Sequence, residues 1–163
     1  MQIADRDKIE RILERIVYQI AEAHYNSKKI VFISIKDSGY ILAQEVIFYL
    51  SKIIQVECKL ISLEIDKKNP EKSDIKLNEP LLDNVDALIL VDDVINSGRT
   101  LFYALKPFLE VKIKNLQTLI LVERKYKRFP ISADYVGISL NTTMKEHIEV
   151  KVNQEKVKAI ELV

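Results

Sequence analysis

The chain has 163 residues, of which 48% are apolar and 30% are charged, a composition typical of one globular domain. A formal net charge of +1 excludes a global electrostatic attraction to nucleic acid or to membranes, so either partner would need a local patch. The single cysteine, Cys58, excludes an internal disulfide and a metal site built from cysteines. The sequence shows neither a signal peptide nor an apolar run near 18 residues. We therefore expect residues 1–163 to form one domain located in the cytoplasm.

The first half of the chain alternates helical and strand patterns. Apolar residues at helical spacing from Asp7 predict an amphipathic helix that Asp5 or Asp7 can cap. An apolar, β-branched run at 30–35 is typical of a strand buried on both faces in a parallel sheet. The pattern then predicts, in order, a short loop at 36–39, a helix at 40–50 and a strand at about 56–65.

The second half continues this alternation after a polar interruption. Residues 66–80 carry both signs of charge and two prolines, which predicts a flexible flap inserted between elements of one sheet. Beyond it, strands are expected at 87–91, 116–122 and 133–138, and short edge strands at 147–152 and 157–163. A helix is expected to begin at about Arg99, and Pro107 should kink or end it. Recurring strand, loop and helix indicate an α/β fold with a mostly parallel sheet.

In sheets of this kind, ligands bind beyond the carboxyl ends of the strands. Two of the predicted loops at this edge contain Gly39 and Gly98. Glycine is rare here, because the chain has three where average usage of about 7% would give roughly eleven. Each is therefore expected where the backbone needs a positive φ or a close approach.

The loop around Gly98 combines two kinds of ligand-binding group. Asp92 and Asp93 end a buried strand, and ionised carboxylates accept hydrogen bonds from vicinal sugar hydroxyls. Asn96–Thr100 is small, polar and opens a helix, where free backbone amides can hold a phosphate. Acids for a ribose and amides for its 5-phosphate thus lie one loop apart, about the span of one sugar phosphate.

This segment, LILVDDVINSGRT at 88–100, resembles the 5-phosphoribosyl-1-pyrophosphate (PRPP) signature of type I phosphoribosyltransferases. The resemblance implies the fold of that family, with helices flanking a mostly parallel central sheet and a flap at about 66–80. It assigns Asp92 and Asp93 to the ribose hydroxyls and to catalysis. It assigns the 5-phosphate to Asn96, Ser97, Gly98, Arg99 and Thr100.

Further similarity points to one branch of that family. ISIKDSGYILA at 33–43, LVER at 121–124 and the segment 130–137 resemble bifunctional pyrimidine operon regulators with uracil phosphoribosyltransferase activity. The branch implies transfer of ribose 5-phosphate to a pyrimidine such as uracil, with release of pyrophosphate. It also implies a homodimer or larger oligomer, and Mg²⁺ that is held mainly by PRPP and water with no direct protein ligand. The residues that it assigns to pyrophosphate binding are Lys36, Asp37, Ser38 and Gly39. Those that it assigns to base binding are Val94, Val122 and Arg124.

Two departures from the family pattern concern the pyrophosphate. Asp37 and Ser38 stand where the family commonly has Thr-Arg, so a charge-assisted donor is missing and a negative charge is added. The flap lacks the family's Arg-Asp-Asp stretch, although it offers Lys67, Lys68 and Lys72.

Other readings remain open. The run Arg124–Arg128 places four cations around Tyr126, a composition suited to RNA through Lys125, Lys127 and Arg128, or simply to a solvated hairpin tip. The chain could therefore be a weakly active or inactive nucleotide-sensing regulator that binds a messenger RNA leader. A purine or orotate phosphoribosyltransferase is a second alternative. We expect His24 and His147 to lie at the surface.

Overall fold

The computed structural model describes residues 1–35, 37–81 and 85–163. It contains three α-helices: α1 (Arg6–His24), α2 (Ser38–Leu50) and α3 (Arg99–Ala104). Short 3₁₀ turns occupy Pro70–Lys72 and Lys106–Phe108. The strands are β1 (Gln2–Ala4), β2 (Lys29–Ile35), β3 (Glu57–Glu64), β4 (Lys76–Leu77), β5 (Ala87–Ile95), β6 (Leu116–Arg124), β7 (Tyr135–Leu140), β8 (Ile148–Val152) and β9 (Val157–Leu162).

Six strands form the central sheet in the order β4-β3-β2-β5-β6-β7. All neighbours are parallel except the β3–β4 pair, which is antiparallel. The continuous apolar run of β2 is buried from Ile30 to Ile35, as expected for a central parallel strand covered on both faces. The predicted α/β fold with a mostly parallel sheet is therefore confirmed.

The predicted tail strands do not lie at the edges of that sheet. Instead β8 and β9 form a separate antiparallel sheet with β1, in the order β1-β9-β8. The sequence pattern did not predict β1, because three residues are too few to show an alternation. Arg6 ties this small sheet to the helices, since its Nη1 donates to Glu45 Oε1 at 2.8 Å and to the Val157 carbonyl at 2.7 Å.

The first helix follows its sequence pattern closely. Asp5 caps it, since its Oδ1 accepts from the Lys8 amide at 2.9 Å. Its apolar positions are buried in the core, and His24 at its end is only 3% exposed. The expectation of a surface His24 is wrong, because Nε2 lies 2.7 Å from Gln117 Oε1 in the core, where the hydroxyl of Tyr135 donates to the same oxygen. His147 is exposed, as expected.

Helix α2 and strand β5 each extend beyond their predicted ends. Ser38 and Gly39 form the first turn of α2, whereas the sequence pattern placed them in a loop. Strand β5 continues to Ile95, so Asp92 and Asp93 lie within it and not after it. Among the described residues, no helix is both long and apolar enough to cross a membrane.

Candidate functional site at the carboxyl edge of the sheet

Asp92 is a buried carboxylate at the carboxyl end of β5. Its side chain is 4% exposed, and burial is the main reason that its pKa rises from 3.8 to about 8. Lys67 of the flap opposes this shift, because its Nζ lies 3.4 Å from Asp92 Oδ1. The neighbouring carboxylate of Asp93 adds to the rise in pKa. Burial therefore favours the neutral form of the Asp92 carboxyl, whereas the Lys67 ammonium favours the ionised form.

Asp93 is half-buried, and its two oxygens have different partners. Oδ1 accepts from the Val94 amide at 2.8 Å, which fixes the side chain against its own strand. Oδ2 accepts from the Ser38 hydroxyl at 2.5 Å, so the first turn of α2 contacts the acidic pair directly. The hydroxyl that stands where the family commonly has an arginine therefore orients a carboxylate.

The short connection from β2 to α2 has an unusual backbone. Asp37 has a φ of 46° and a ψ of −101°, a positive φ that is uncommon for residues other than glycine. Gly39 lies against β5, where an added Cβ would come within 3.2 Å of the Val91 carbonyl oxygen. Gly39 is thus needed for close packing of helix on strand. Lys36, the remaining predicted pyrophosphate residue, lies outside the described residues.

The loop from Asn96 to Thr100 has the expected features of an anion-binding turn. Gly98 has a φ of +83° and precedes α3. In the described part of the chain, the amides of Gly98 and Thr100 donate to no protein acceptor. These amides, with the Ser97 and Thr100 hydroxyls, offer several donors to one oxyanion. We call residues 96–100 the phosphate loop, after the ligand that the sequence predicts for them.

The segment that follows β6 supports the phosphate loop from behind. The Ser97 carbonyl accepts from the amides of Arg128 at 2.9 Å and Phe129 at 3.1 Å. Ile131 packs so closely on Gly98 that an added Cβ would lie 2.7 Å from its Cγ2. The phosphate loop is therefore held by backbone and side-chain contacts to residues about 30 positions further along the chain.

The flap lies over the phosphate loop. Arg99 pairs with Glu71, and its Nη1 approaches the Lys68 carbonyl at 3.5 Å. With Lys67 on Asp92, these contacts leave a cavity of about 80 Å³ beside the phosphate loop, room for two or three waters at roughly 30 Å³ each. A sugar phosphate is larger than this cavity, so we expect the flap to move when one binds.

A larger cleft of about 680 Å³ lies between the flap and the start of α2. It is the space expected to receive a pyrophosphate, and its lining is electrostatically mixed. The lining carboxylates are Asp37, Glu64, Asp66 and Asp74, and the lining amines are Lys67, Lys68 and Lys76. Among the described residues this lining has no excess of positive charge, in agreement with the departures at Asp37 and Ser38.

Two of the three predicted base-binding residues have other surroundings. Val122 is fully buried in β6 and pairs with Val94 on one side and Ile138 on the other, so its side chain belongs to the core, and base binding at this position stays a prediction. Arg124 is 7% exposed and binds Asn96, Thr142 and Thr143 through its guanidinium. Only Val94 is half-buried at the edge of the sheet, where a base attached to the ribose would lie.

Beyond Arg124, which ends β6, the basic run lies in a loop that connects the parallel strands β6 and β7, so it is not a hairpin tip. Lys125, Lys127 and Arg128 are all exposed. Lys127 Nζ lies 2.7 Å from Glu123 Oε1, and the guanidinium of Arg128 lies 5.0 Å from the centroid of the Tyr126 ring. The cations therefore remain accessible to an anionic partner.

Sequence reasoning missed several residues that shape this site. Glu71, Phe129 and Thr142 carry no motif, and only the folded chain brings the first two to the phosphate loop and Thr142 to Arg124. Lys67 was expected near a leaving group, and the structure places it on Asp92. No group of three or more potential metal-ligating side chains occurs in the described ranges.

Comparison with known proteins agrees with this geometry. The model of the phosphoribosyl transferase domain family matches residues 1–155. The chain is 31% identical over 170 aligned positions to the bifunctional protein PyrR of Leuconostoc mesenteroides, covering 99% of this chain and 97% of that protein. It is 33% identical to the bifunctional protein PyrR of Streptococcus thermophilus, covering 94% and 90%. A hypoxanthine phosphoribosyltransferase structure from Trypanosoma cruzi superimposes with a TM-score of 0.77 at 13% identity, covering 99% and 94%.

Proposed function

Since the chain belongs to the phosphoribosyltransferase family, we propose that it binds PRPP and transfers ribose 5-phosphate to a pyrimidine such as uracil, releasing pyrophosphate. One observation carries the proposal: the buried Asp92 and the half-buried Asp93 lie one loop before the free amides of Gly98 and Thr100. This arrangement suits a ribose whose hydroxyls meet the acids while its 5-phosphate meets the amides.

Breaking the bond from C1 to pyrophosphate creates a cation-like sugar and a departing anion. Asp92 and Asp93 would fix the ribose, and in their ionised form they would place negative potential beside the developing cation. The flap, once displaced by the substrate, would close again and exclude water. Val94 would contact the acceptor base at the edge of the sheet.

Mg²⁺ fits this site only as a companion of the substrate. The two acids are oxygen ligands of the kind that Mg²⁺ prefers, but each is already engaged, Asp92 by Lys67 and Asp93 by Ser38. When bound, Mg²⁺ would neutralise charge on the pyrophosphate. The chain itself would hold the ribose and phosphate, with the acids in the outer coordination sphere.

The pyrophosphate side is the weaker half of the proposed site. Asp37, Ser38 and Gly39 form the turn beside the large cleft, and the Ser38 hydroxyl donates to Asp93. We therefore expect binding of the phosphoribosyl half to be stronger than the leaving-group chemistry, and turnover to be slow.

A base panel tests the proposal. The protein is incubated with PRPP, Mg²⁺ and uracil, cytosine, hypoxanthine, guanine or orotate, and pyrophosphate release is measured. Release with uracil supports the proposed reaction, whereas release only with a purine or orotate assigns the corresponding alternative. Replacing Asp92 and Asp93 by Asn should abolish PRPP binding, and unchanged affinity would refute the ribose assignment.

A second candidate function is RNA-binding regulation of pyrimidine genes, with weak or no catalysis. The exposed cations Lys125, Lys127 and Arg128 favour it, because they surround Tyr126 on a loop that also contacts the phosphate loop. Salt-dependent binding of a pyrimidine-gene leader RNA, lost when these three residues become Ala, would support it. Binding that survives the triple substitution would refute this surface. We also propose a cytoplasmic homodimer or larger oligomer, testable by light scattering.

A further inference from the structure

Arg124 forms a buried bridge between two loops at the carboxyl edge of the sheet. Its Nε donates to Thr142 Oγ1 at 2.6 Å, its Nη1 to Asn96 Oδ1 at 2.8 Å and its Nη2 to the Thr143 carbonyl at 2.8 Å. Asn96 begins the phosphate loop after β5, whereas Thr142 and Thr143 follow β7. One side chain at the end of β6 therefore joins the loops on both sides of it.

The bridge consists of neutral acceptors around a buried cation. Among the ion pairs of residues 1–35, 37–81 and 85–163, none involves Arg124. Its positive charge reaches Glu146, whose pKa falls chiefly because the Thr143 amide donates to it and in smaller part through Arg124. Burying a cation without an ion pair costs free energy, and the three hydrogen bonds of Arg124 offset part of that cost.

Arg124 does not line the small cavity beside the phosphate loop, but Asn96 does, together with Asp92, Gly98 and Thr100. Asn96 is therefore the residue through which Arg124 is in direct contact with the wall of this cavity. Thr142, at the opposite end of the bridge, does not line that cavity, so it can be substituted without altering the cavity wall.

We propose that Arg124 is a positioning residue for the phosphoribosyl site, which holds Asn96 and with it the start of the phosphate loop against the segment after β7. This proposal rests on one part of the proposed function, namely that residues 96–100 bind a phosphate. It replaces direct base recognition as the role of this side chain.

Substitutions at the far end of the bridge test the proposal, with ribose 5-phosphate as the probe in calorimetric titrations. Thr142→Val removes the acceptor of Nε and should weaken binding about 2- to 10-fold, the range for one hydrogen bond. Thr142→Ser keeps the hydroxyl and should restore wild-type affinity. Thr143→Val is the matched control, because Thr143 meets Arg124 through its backbone carbonyl, which the substitution keeps.

A double substitution separates positioning from general loosening. Arg124→Lys keeps the charge but loses the planar fork, and adding Thr142→Val to it should cause no further loss of affinity. Titrations are run well below the melting temperature of every variant. Three outcomes would each overturn the proposal. They are wild-type affinity in Thr142→Val, equal losses of affinity in Thr142→Val and Thr143→Val, and a loss in the double variant that equals the product of the two single losses. Failure of the wild-type protein to bind ribose 5-phosphate would instead refute the phosphate loop itself. If Arg124→Lys does not fold, the affinities of Thr142→Val, Thr142→Ser and Thr143→Val test the proposal without it.

Discussion

Lys67 Nζ lies 3.4 Å from Asp92 Oδ1, so an ammonium group from the flap covers the carboxylate that is proposed to hold the ribose. The two residues come from segments 25 positions apart and meet only because β3 and β5 flank β2 in the sheet. This contact neutralises Asp92 in the absence of substrate and closes the small cavity beside the phosphate loop. Ribose hydroxyls must therefore replace a cation at Asp92.

The pKa of Asp92 should depend on Lys67. Lys67→Met keeps most of the side-chain volume but removes the charge that lowers this pKa, so the value should rise above about 8. Carboxyl carbon shifts followed by NMR during a pH titration measure it. Lys68→Met is the control, because Lys68 forms no ion pair among the described residues and should leave the titration unchanged.

Asp92→Asn should make stability less dependent on pH. The unfolded carboxyl ionises near 3.8 and the folded one near 8, so between these values the folded state binds more protons and loses stability as pH rises. The variant lacks this loss, and its advantage in free energy of unfolding should grow between pH 4 and 8, at about 1.4 kcal/mol per pKa unit as an upper limit. Urea denaturation at several pH values measures it.

Asp86→Asn provides a control of opposite sign. The amides of Lys28 and Lys29 donate to Asp86 and lower its pKa, so this carboxylate stabilises the protein above the unfolded pKa, an effect that fades in acid. The variant should be less stable than wild type at neutral pH and equal to it in acid. The same pH trend in both variants would contradict these assignments.

Glu71→Gln should strengthen binding of ribose 5-phosphate. The substitution releases Arg99 from its flap partner and removes a negative charge from beside the phosphate loop. Because partly exposed ion pairs contribute about 0–1 kcal/mol, the gain in affinity should be about 2- to 5-fold by calorimetry. Glu79→Gln, which breaks a comparable pair with Lys59 away from this site, should change nothing. A weaker complex would show that Glu71 helps to close the flap over the ligand.

Gly98→Ala should damage both the stability and the phosphate site. A φ of +83° disfavours any side chain, and the new methyl group would meet Ile131 Cγ2 at 2.7 Å. We expect a loss of about 1–3 kcal/mol in the free energy of unfolding and a marked loss of ribose 5-phosphate affinity. Adding Ile131→Ala should relieve the clash but not the backbone strain, so recovery should be partial. Full recovery of stability and affinity would show that the steric contact with Ile131, and not the backbone strain, causes the whole effect.

Local patterns predicted much of this fold. The helical spacing from Ile9, the apolar run of β2 and the sequence from Leu88 to Thr100 each carry their information within a few neighbouring residues. The family resemblance, which the comparisons confirm, follows from these same short segments. That residues 1–163 form one domain stays a prediction.

What the sequence determined by itself was the order of the longer strands and helices and the motif at 88–100, because hydrophobic period and motif spacing are local properties. Only the tertiary structure decided which side chains are free to act. It buried Val122 and His24, placed Lys67 on Asp92 and bound Arg124 to Asn96 and Thr142. These outcomes depend on how strands distant in sequence become neighbours in the sheet, since a buried charge takes whatever partners the packing brings within hydrogen-bonding distance.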